Sequence, residues 1–325
     1  NIERFLDENG KITVDLFNEQ GAIIVPKGKI PPAKIFSMYI YIYKHDHENT
    51  IIVSDNISGR SAHDEDRKDF KSQVLKDAGS TAAKTYEKIN DDMNSLLQDK
   101  LTADKITQAE NIIEKSISVD RSLLVNCLQT LRTADQYTAQ HSLSVSIIFS
   151  HAMEDFSLER RHTDFYNAFQ NSHDQINFQK NYLKKYTIGA LLHDFGKTVM
   201  QSSILKKPGS LSVEEFEQIK KHPLAGVKAL KNAGLADKHL LLIVGNHHPA
   251  YPVFHHVRNN PLAEICSFID VYDACRSQRS YKKAFSREQT MHILSYNQKE
   301  YGLNPYILEI LCRKTFPYFE KTRKY

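Results

Sequence analysis

Histidines and aspartates stand beside apolar helical runs from His141 to Asp273 of this chain, where an uncharged packing residue would be the default choice. Gly189-Ala-Leu-Leu-His193-Asp194-Phe-Gly196-Lys197 is the densest example. His222-Pro223 follows an amphipathic stretch containing Glu214, Phe216 and Ile219. His247-His248 ends the apolar run Leu240–Val244, and Asp270 ends the run Ile265–Ile269, with Asp273 one turn later. His141 lies on a helix expected to begin near Thr133. Burying this many ionisable groups without metal or mutual pairing costs several kcal/mol. The fold must therefore bring them together.

The local spacing says how. A helix ending near Gly196 suits a left-handed C-terminal cap. His193 and Asp194 then sit about 100° apart around the axis. They can approach one cation from two sides, and the second carboxylate oxygen can bridge to a neighbouring cation. Lys197 shares a face with His193 and can aim an ammonium at a bound phosphate. A single His-Asp pair is more often an ordinary buried hydrogen-bonded pair. The company of His141, His222, His247, His248 and Asp270 tips the balance toward metal.

Outside these segments the pattern divides. Lys11–Phe17 alternates apolar and polar, Asn18–Gly21 supplies turn chemistry and Ala22–Val25 follows, which predicts a hairpin. Met38–Tyr43 is rich in β-formers, and Tyr39, Tyr41 and Tyr43 fit a strand better than a platform for bases. Tyr86, Ile89, Met93 and Leu96 step by three and four, as do Ile106, Ala109, Ile113 and Ile117 after a break near Leu101–Asp104. These predict two amphipathic helices, either a connector or dimerising hairpin or a pair packed on their own domain. From about residue 119 onward the periodicity is helical. We expect residues 1–118 to form an α/β regulatory or partner-binding domain with a helical connector, and 119–325 a helical metal-binding domain.

A chain of 325 residues has room for two such units. Its net charge of +4 is too small to argue for a nucleic-acid polymer, but it does not repel a phosphate-bearing ligand. Cys127, Cys266, Cys275 and Cys312 show no CxxC spacing, so free thiols in a reducing compartment are expected. No run approaches the ~18–20 apolar residues of a membrane span. The opening Asn1-Ile-Glu-Arg lacks a signal-peptide pattern. A cytoplasmic protein is the expectation.

Taken in order, Asp135-Gln-Tyr-Thr-Ala-Gln-His141, Leu191-Leu-His193-Asp194-Phe-Gly-Lys197, His222-Pro223-Leu-Ala-Gly226, Asn246-His247-His248, Asp270-Val-Tyr-Asp273 and Arg279-Ser-Tyr281-Lys282 resemble the HD superfamily of metal-dependent phosphohydrolases, and within it the HD-GYP group. The resemblance spans about residues 123–285. It implies a mainly α fold, an HD-domain helical bundle beside the smaller N-terminal α/β domain. It also implies cyclic di-GMP or a related linear dinucleotide as substrate. Carried over residue by residue, His141, His193, Asp194 and Asp270 hold one metal, and Asp194 bridges to a second held by His222, His247 and His248. Lys197, Arg279 and Lys282 fall where substrate phosphates are contacted. Asp135 falls where a carboxylate orients the lysine or assists proton transfer. The cofactor implied is a pair of transition-metal ions, with iron first and manganese, nickel or zinc as alternatives. Imidazole and carboxylate ligands without thiolate suit these metals. A second metal beside the first suits phosphodiester hydrolysis, because the pair acidifies water and stabilises charge on the attacked phosphate.

The chain also departs from the family. The family's glutamate and Gly-rich loop after the His-His pair are replaced by Pro249-Ala250-Tyr251-Pro252, so Tyr251 is expected to fall short of the family tyrosine's place. Tyr137 stands where three-metal members have a glutamate, which predicts two metals. Extra residues between His141 and His193, including Arg160–Thr163 and Asn171–Asp174, are expected to reshape the site's mouth. His255-His256 is read as loop surface. His151, His162, His173, His239 and His292 are read as surface or core, and Asp273 as a helix-capping or hydrogen-bonding group. Three functions fit: a cyclic-dinucleotide phosphodiesterase, a degenerate metal-bearing sensor or interaction protein working through residues 1–118, and, less well, an HD mononucleotidase.

Overall fold

The computed structural model describes residues 64–98, 100–131, 137–159, 180–200, 202–205, 212–257, 260–277 and 284–321, with four strands and a few isolated positions within 1–61. The chain divides into two compact units, one formed by residues 1–61 and the other by the bulk of 62–325.

The first unit is a four-stranded sheet of order β2-β1-β4-β3, with β1 Leu16–Phe17, β2 Ile23–Val25, β3 Tyr39–His45 and β4 Glu48–Ser54. The expected hairpin is the antiparallel β1–β2 pair, in which Leu16 faces Val25. The strand expected at Met38–Tyr43 is β3. It pairs antiparallel with β4 from Tyr39 opposite Ser54 to His45 opposite Glu48. β4 also runs parallel to β1, joining the two hairpins into one sheet. The β-branched run Ile51-Ile-Val favours this extended pairing.

The second unit is helical. Its elements are α1 Asp64–Gln98, α2 Ala103–Ile117, α3 Arg121–Thr130, α4 Tyr137–Glu159, α5 Lys180–Leu191, α6 Ser202–Leu205, α7 Val213–Ile219, α8 His222–Asn232, α9 Lys238–Asn246, α10 Pro261–Arg276, α11 Arg287–Tyr301, α12 Pro305–Ile310 and α13 Phe316–Glu320. α1 breaks at Gly79, whose φ of 80° is one that glycine adopts at little cost. Side-chain caps begin several helices: Thr102 for α2, Asp120 for α3, Asp237 for α9 and Asn260 for α10. Among the described residues no helix is long and apolar enough to cross a membrane.

The two helices expected between residues 61 and 118 are present as α1 and α2, but they are not a connector. Tyr86, Ile89, Met93 and Leu96 of α1 and Ala109, Ile112 and Ile113 of α2 are buried in the same core as Leu124, Leu128, Leu143 and Ile147. Gln140, the neighbour of His141, donates its amide to the Tyr86 hydroxyl at 3.1 Å. Lys115 pairs with Asp92 across α1 and α2 at 2.8 Å. The boundary expected at 118/119 therefore moves to 61/62, because the narrow apolar stripes of α1 and α2 are buried against the helices that follow. The insertions at Arg160–Thr163 and Asn171–Asp174 lie outside the described residues.

Candidate metal centre

The expected helix end at Gly196 comes earlier. α5 stops at Leu191, the chain turns through His193 and Asp194, and a short 3-10 turn occupies Phe195–Val199. Gly196 is not among the glycines with positive φ, so it is not a left-handed cap. Its role is space. A Cβ at Gly196 would collide with the His222 carbonyl oxygen and lie 2.6 Å from the Gly226 nitrogen. Glycine at 196 thus lets the 3-10 turn pack on the first turn of α8, which sets His193 and Asp194 beside His222.

Backbone carbonyls fix the orientation of three imidazoles. The ring Nδ1 of His193 lies 2.8 Å from the Ala190 carbonyl, that of His222 2.7 Å from Ile219 and that of His247 2.9 Å from Val244. A carbonyl can only accept, so each Nδ1 carries the proton and each Nε2 presents a lone pair. These lone pairs converge. The Nε2 atoms of His222 and His247 are 3.2 Å apart, and Asp194 Oδ1 lies 3.1 Å from the first and 3.8 Å from the second. His193 Nε2 and Asp194 Oδ1 are buried without a hydrogen-bond partner. Acceptors facing one another in a dry interior repel unless a cation lies between them. The residues present therefore fit a metal.

The ionisation states agree. Burial pushes the His193 and His247 imidazoles down and His248 to about 3, which keeps all three neutral, the form that ligates metal. Burial alone would raise the Asp194 carboxyl, but the Lys197 ammonium beside it outweighs burial and holds the group well below the usual carboxylate range. Burial opposes ionisation of Asp270 too, and His141, through its hydrogen bond and charge, overcomes it.

His141, on α4, faces the centre from the other side. Its Nε2 is 2.9 Å from Asp270 Oδ1 and 3.8 Å from Asp194 Oδ2, while its Nδ1 is 2.7 Å from Asp273 Oδ2. Asp273 is itself held by Gln129 at 2.9 Å and by the Ser144 hydroxyl. Burial disfavours an imidazolium here, yet Tyr137, Asp270 and Asp273 carry His141 up to about 10. The place between His141 and Asp270 thus favours positive charge. Asp273 is a hydrogen-bonding group, as its position suggested, and its partner is His141 of the cluster. A carboxylate that holds a metal-facing imidazole in this way raises its basicity and fixes its orientation. Gln129 and Ser144 gave no sequence signal for this role, since each is unremarked in a helical run.

Three sets of ligand atoms lie within 4.8 Å of one another: Asp194, His222, His247 and His248; His141, His193 and Asp194; and His193, His247 and Asp270. Asp194 belongs to the first two. Every residue singled out as a ligand from the sequence is thus gathered in one cluster. Lys197 donates to Asp194 Oδ2 at 2.6 Å. Asp135, Arg279 and Lys282 lie outside the described residues. His141, His193, Asp194, His222 and His247 are fully buried, whereas the side chains of Asp270 and Lys197 are 14% and 21% exposed, so solvent reaches the cluster on their side.

The short loop after His248 folds back tightly. Asn246 donates to the Phe254 and Val257 carbonyls at 3.2 and 3.1 Å and accepts from the Phe254 amide at 2.9 Å. The Val253 amide bonds the Gly245 carbonyl at 3.0 Å, and Phe254 packs where a side chain at 245 would otherwise stand. This path sets the Tyr251 ring on the imidazole of His248, with the centroids 4.8 Å apart. Burial, then Asp270 and Asp194, push its hydroxyl above the usual phenol range. His255 and His256 are exposed, as expected of loop surface. His151 stacks on Tyr318 at 4.1 Å, His239 is half-buried and His292 is exposed, while His162 and His173 lie outside the described residues.

Comparison with known proteins points the same way. Residues 138–275 match the HD domain family, a stretch that contains His141, His193, Asp194, His222, His247, His248 and Asp270. The chain is 27% identical over 170 residues to a cyclic di-GMP phosphodiesterase from Pseudomonas aeruginosa, covering 50% of this chain and 36% of that protein. It is 35% identical over 128 residues to a cyclic di-GMP phosphodiesterase from Vibrio cholerae, covering 35% of this chain and 25% of the relative. It is 30% identical over 149 residues to the cyclic di-GMP phosphodiesterase response regulator RpfG of Xanthomonas campestris, covering 43% and 39%. The chain spans well under half the length of each of these relatives.

Proposed function

We propose, from the premise that this chain belongs to the HD-GYP branch of the HD-domain family, that it is a phosphodiesterase hydrolysing cyclic di-GMP or its linear dinucleotide product at a binuclear metal centre. The observation that carries this reading is the sharing of Asp194 between two ligand sets, one with His222, His247 and His248 and the other with His141 and His193. Asp270 completes the second set through its contact with His141. Imidazole and carboxylate donors without thiolate suit iron, with manganese, nickel or zinc as alternatives.

When bound, such a pair lowers the pKa of water and stabilises negative charge on the attacked phosphate. The chain's own residues do the rest. Asp194 offers one oxygen toward each ligand set. Lys197, held against it, places an ammonium at the solvent-facing edge, where it can meet a phosphate oxygen. Arg279 and Lys282 are proposed as the remaining phosphate contacts and Asp135 as the carboxylate that orients Lys197 or assists proton transfer. The dry walls around His193, His222 and His247 exclude bulk water from the ligand atoms and strengthen every charge interaction there. The sheet unit of residues 1–61 is proposed as the regulatory or partner-binding part.

A second reading keeps the metals and the nucleotide site but gives the chain a sensing or protein-interaction role. Pro249 and Ala250, in place of the family's glutamate and glycine, favour it. Turnover decides between them. Iron-loaded, reduced full-length protein, with metal counted in the same sample, is expected to convert cyclic di-GMP to linear dinucleotide or mononucleotide, and chelation should stop the reaction. Metal-replete protein that binds cyclic di-GMP and leaves it intact would establish the sensing role instead.

A further inference from the structure

Five ring contacts form a continuous row through the site. Tyr137 lies 5.6 Å from His141 with rings nearly parallel at 16°, His141 is 5.3 Å from His193, His193 is 4.9 Å from His247, His247 is 4.1 Å from His248, and His248 is 4.8 Å from Tyr251 at 32°. The four inner members are proposed metal ligands, a tyrosine stacks on His141 and another on His248, and His222 joins the cluster beside His247 and His248 at 5.2 and 5.0 Å. Both tyrosines are half-buried, while His141, His193 and His247 between them are fully buried.

Tyr137 lies within electrostatic reach of Lys197, and Tyr251 within reach of Asp270. The two tyrosines reach their places differently. Tyr137 opens α4 one turn before His141, so the helix repeat alone sets it over that imidazole. Tyr251 depends on the Asn246-pinned turn, and its amide bonds the His248 carbonyl at 3.1 Å. Neither contact is needed to hold a metal, because a tyrosine stacked on a ligand histidine adds no donor to the ligand sets.

We infer that Tyr137 and Tyr251 are specificity-determining residues that stack on the two bases flanking a phosphodiester, so that the site favours a dinucleotide over a mononucleotide or free phosphate. This rests on the phosphodiesterase reading above and names what that site selects. A phosphodiester drawn to Lys197 carries a nucleoside on each side of the phosphate, and the inference assigns one of them to each tyrosine. A phenol ring offers each purine a π-face at low entropic cost, and stacking of this kind tolerates either purine. The chemistry recognised is thus a phosphate with a planar ring on each side.

The test compares two probes on full-length, metal-loaded protein by calorimetry: cyclic di-GMP and inorganic phosphate, with metal content measured for each sample. Tyr137→Leu and Tyr251→Leu are each expected to weaken cyclic di-GMP binding by roughly 5- to 150-fold, the range for loss of one base stack. Phosphate affinity and metal content should stay at wild-type levels. Tyr137→Phe and Tyr251→Phe keep the ring and should retain cyclic di-GMP affinity. Leucine variants that bind cyclic di-GMP as the wild type does would overturn the inference and leave the phosphodiesterase reading standing. Leucine variants that lose metal and phosphate together would also overturn it, since the rings would then serve the metal centre. A wild-type chain that holds metal and phosphate but binds no cyclic di-GMP would remove the functional reading and this inference with it.

Discussion

Replacing Asp194 by alanine or asparagine is expected to strip both metal ions from the chain, where replacing His248 by alanine should remove one. Asp194 is the residue common to the set with His222, His247 and His248 and the set with His141 and His193. His222 lies 3.1 Å from one of its oxygens, and His141 and His193 lie 3.8 and 3.5 Å from the other. An outer-sphere partner of a metal ligand is worth about 10- to 100-fold in affinity, so loss of a ligand shared by both ions should cost at least that at each. The alanine variant also leaves the Lys197 ammonium beside the cluster without its 2.6 Å partner, which opposes cation binding further. Asparagine keeps the volume and one acceptor oxygen but loses the charge. Elemental analysis after dialysis against a weak chelator reads the result, with circular dichroism as a check on folding. An Asp194→Ala chain that is folded and still holds both ions would end the bridging assignment.

A fragment comprising residues 119–325 is expected not to fold, whereas residues 62–325 should be soluble, helical and competent for metal. Tyr86, Ile89, Met93 and Leu96 of α1 and Ala109, Ile112 and Ile113 of α2 are buried at 0–3% exposure against the later helices. Each large one contributes about 1.5–3 kcal/mol by its burial, and a domain's whole stability is about 5–15 kcal/mol. Removing both helices also uncovers the apolar faces they cover on α3, α4 and α5, and it deletes the Tyr86 hydroxyl that meets Gln140 next to His141. Expression yield, helical signal and metal content of the two fragments test this together. A soluble, metal-replete 119–325 fragment would return α1 and α2 to the role of a connector.

The cluster is legible in the sequence because an ionisable group beside an apolar run is carried into the interior, where it needs a metal or a partner. His141, His193, Asp194, His222, His247, His248 and Asp270 meet in one cluster, as that need requires. The helical periods of α1 and α2 are legible as well, but periodicity shows only that a face is apolar and not which neighbour covers it. The boundary read from periodicity therefore falls at 118 rather than 61. The turn at His193–Asp194 is misread for a related reason. Glycine serves left-handed caps and close backbone approach alike, and only the nearness of the His222 carbonyl decides between them at Gly196. The path of the turn after His248 is not legible, because Asn246 folds it through three hydrogen bonds that no spacing rule contains. The outer support of His141 by Asp273, Gln129 and Ser144 is hidden in ordinary helical segments, where polar residues face solvent just as readily.

The central claim is that two metal ions share one carboxylate in this helical core. An anomalous difference map from crystals of the iron-loaded, reduced full-length protein measures this most directly. Two strong peaks are expected on either side of Asp194, one coordinated by His222, His247 and His248 and the other by His141, His193 and Asp270, separated by about 3.5–4 Å as in two-metal phosphoesterases. A single peak away from Asp194, or no peak among these residues in protein that retains iron, would contradict it.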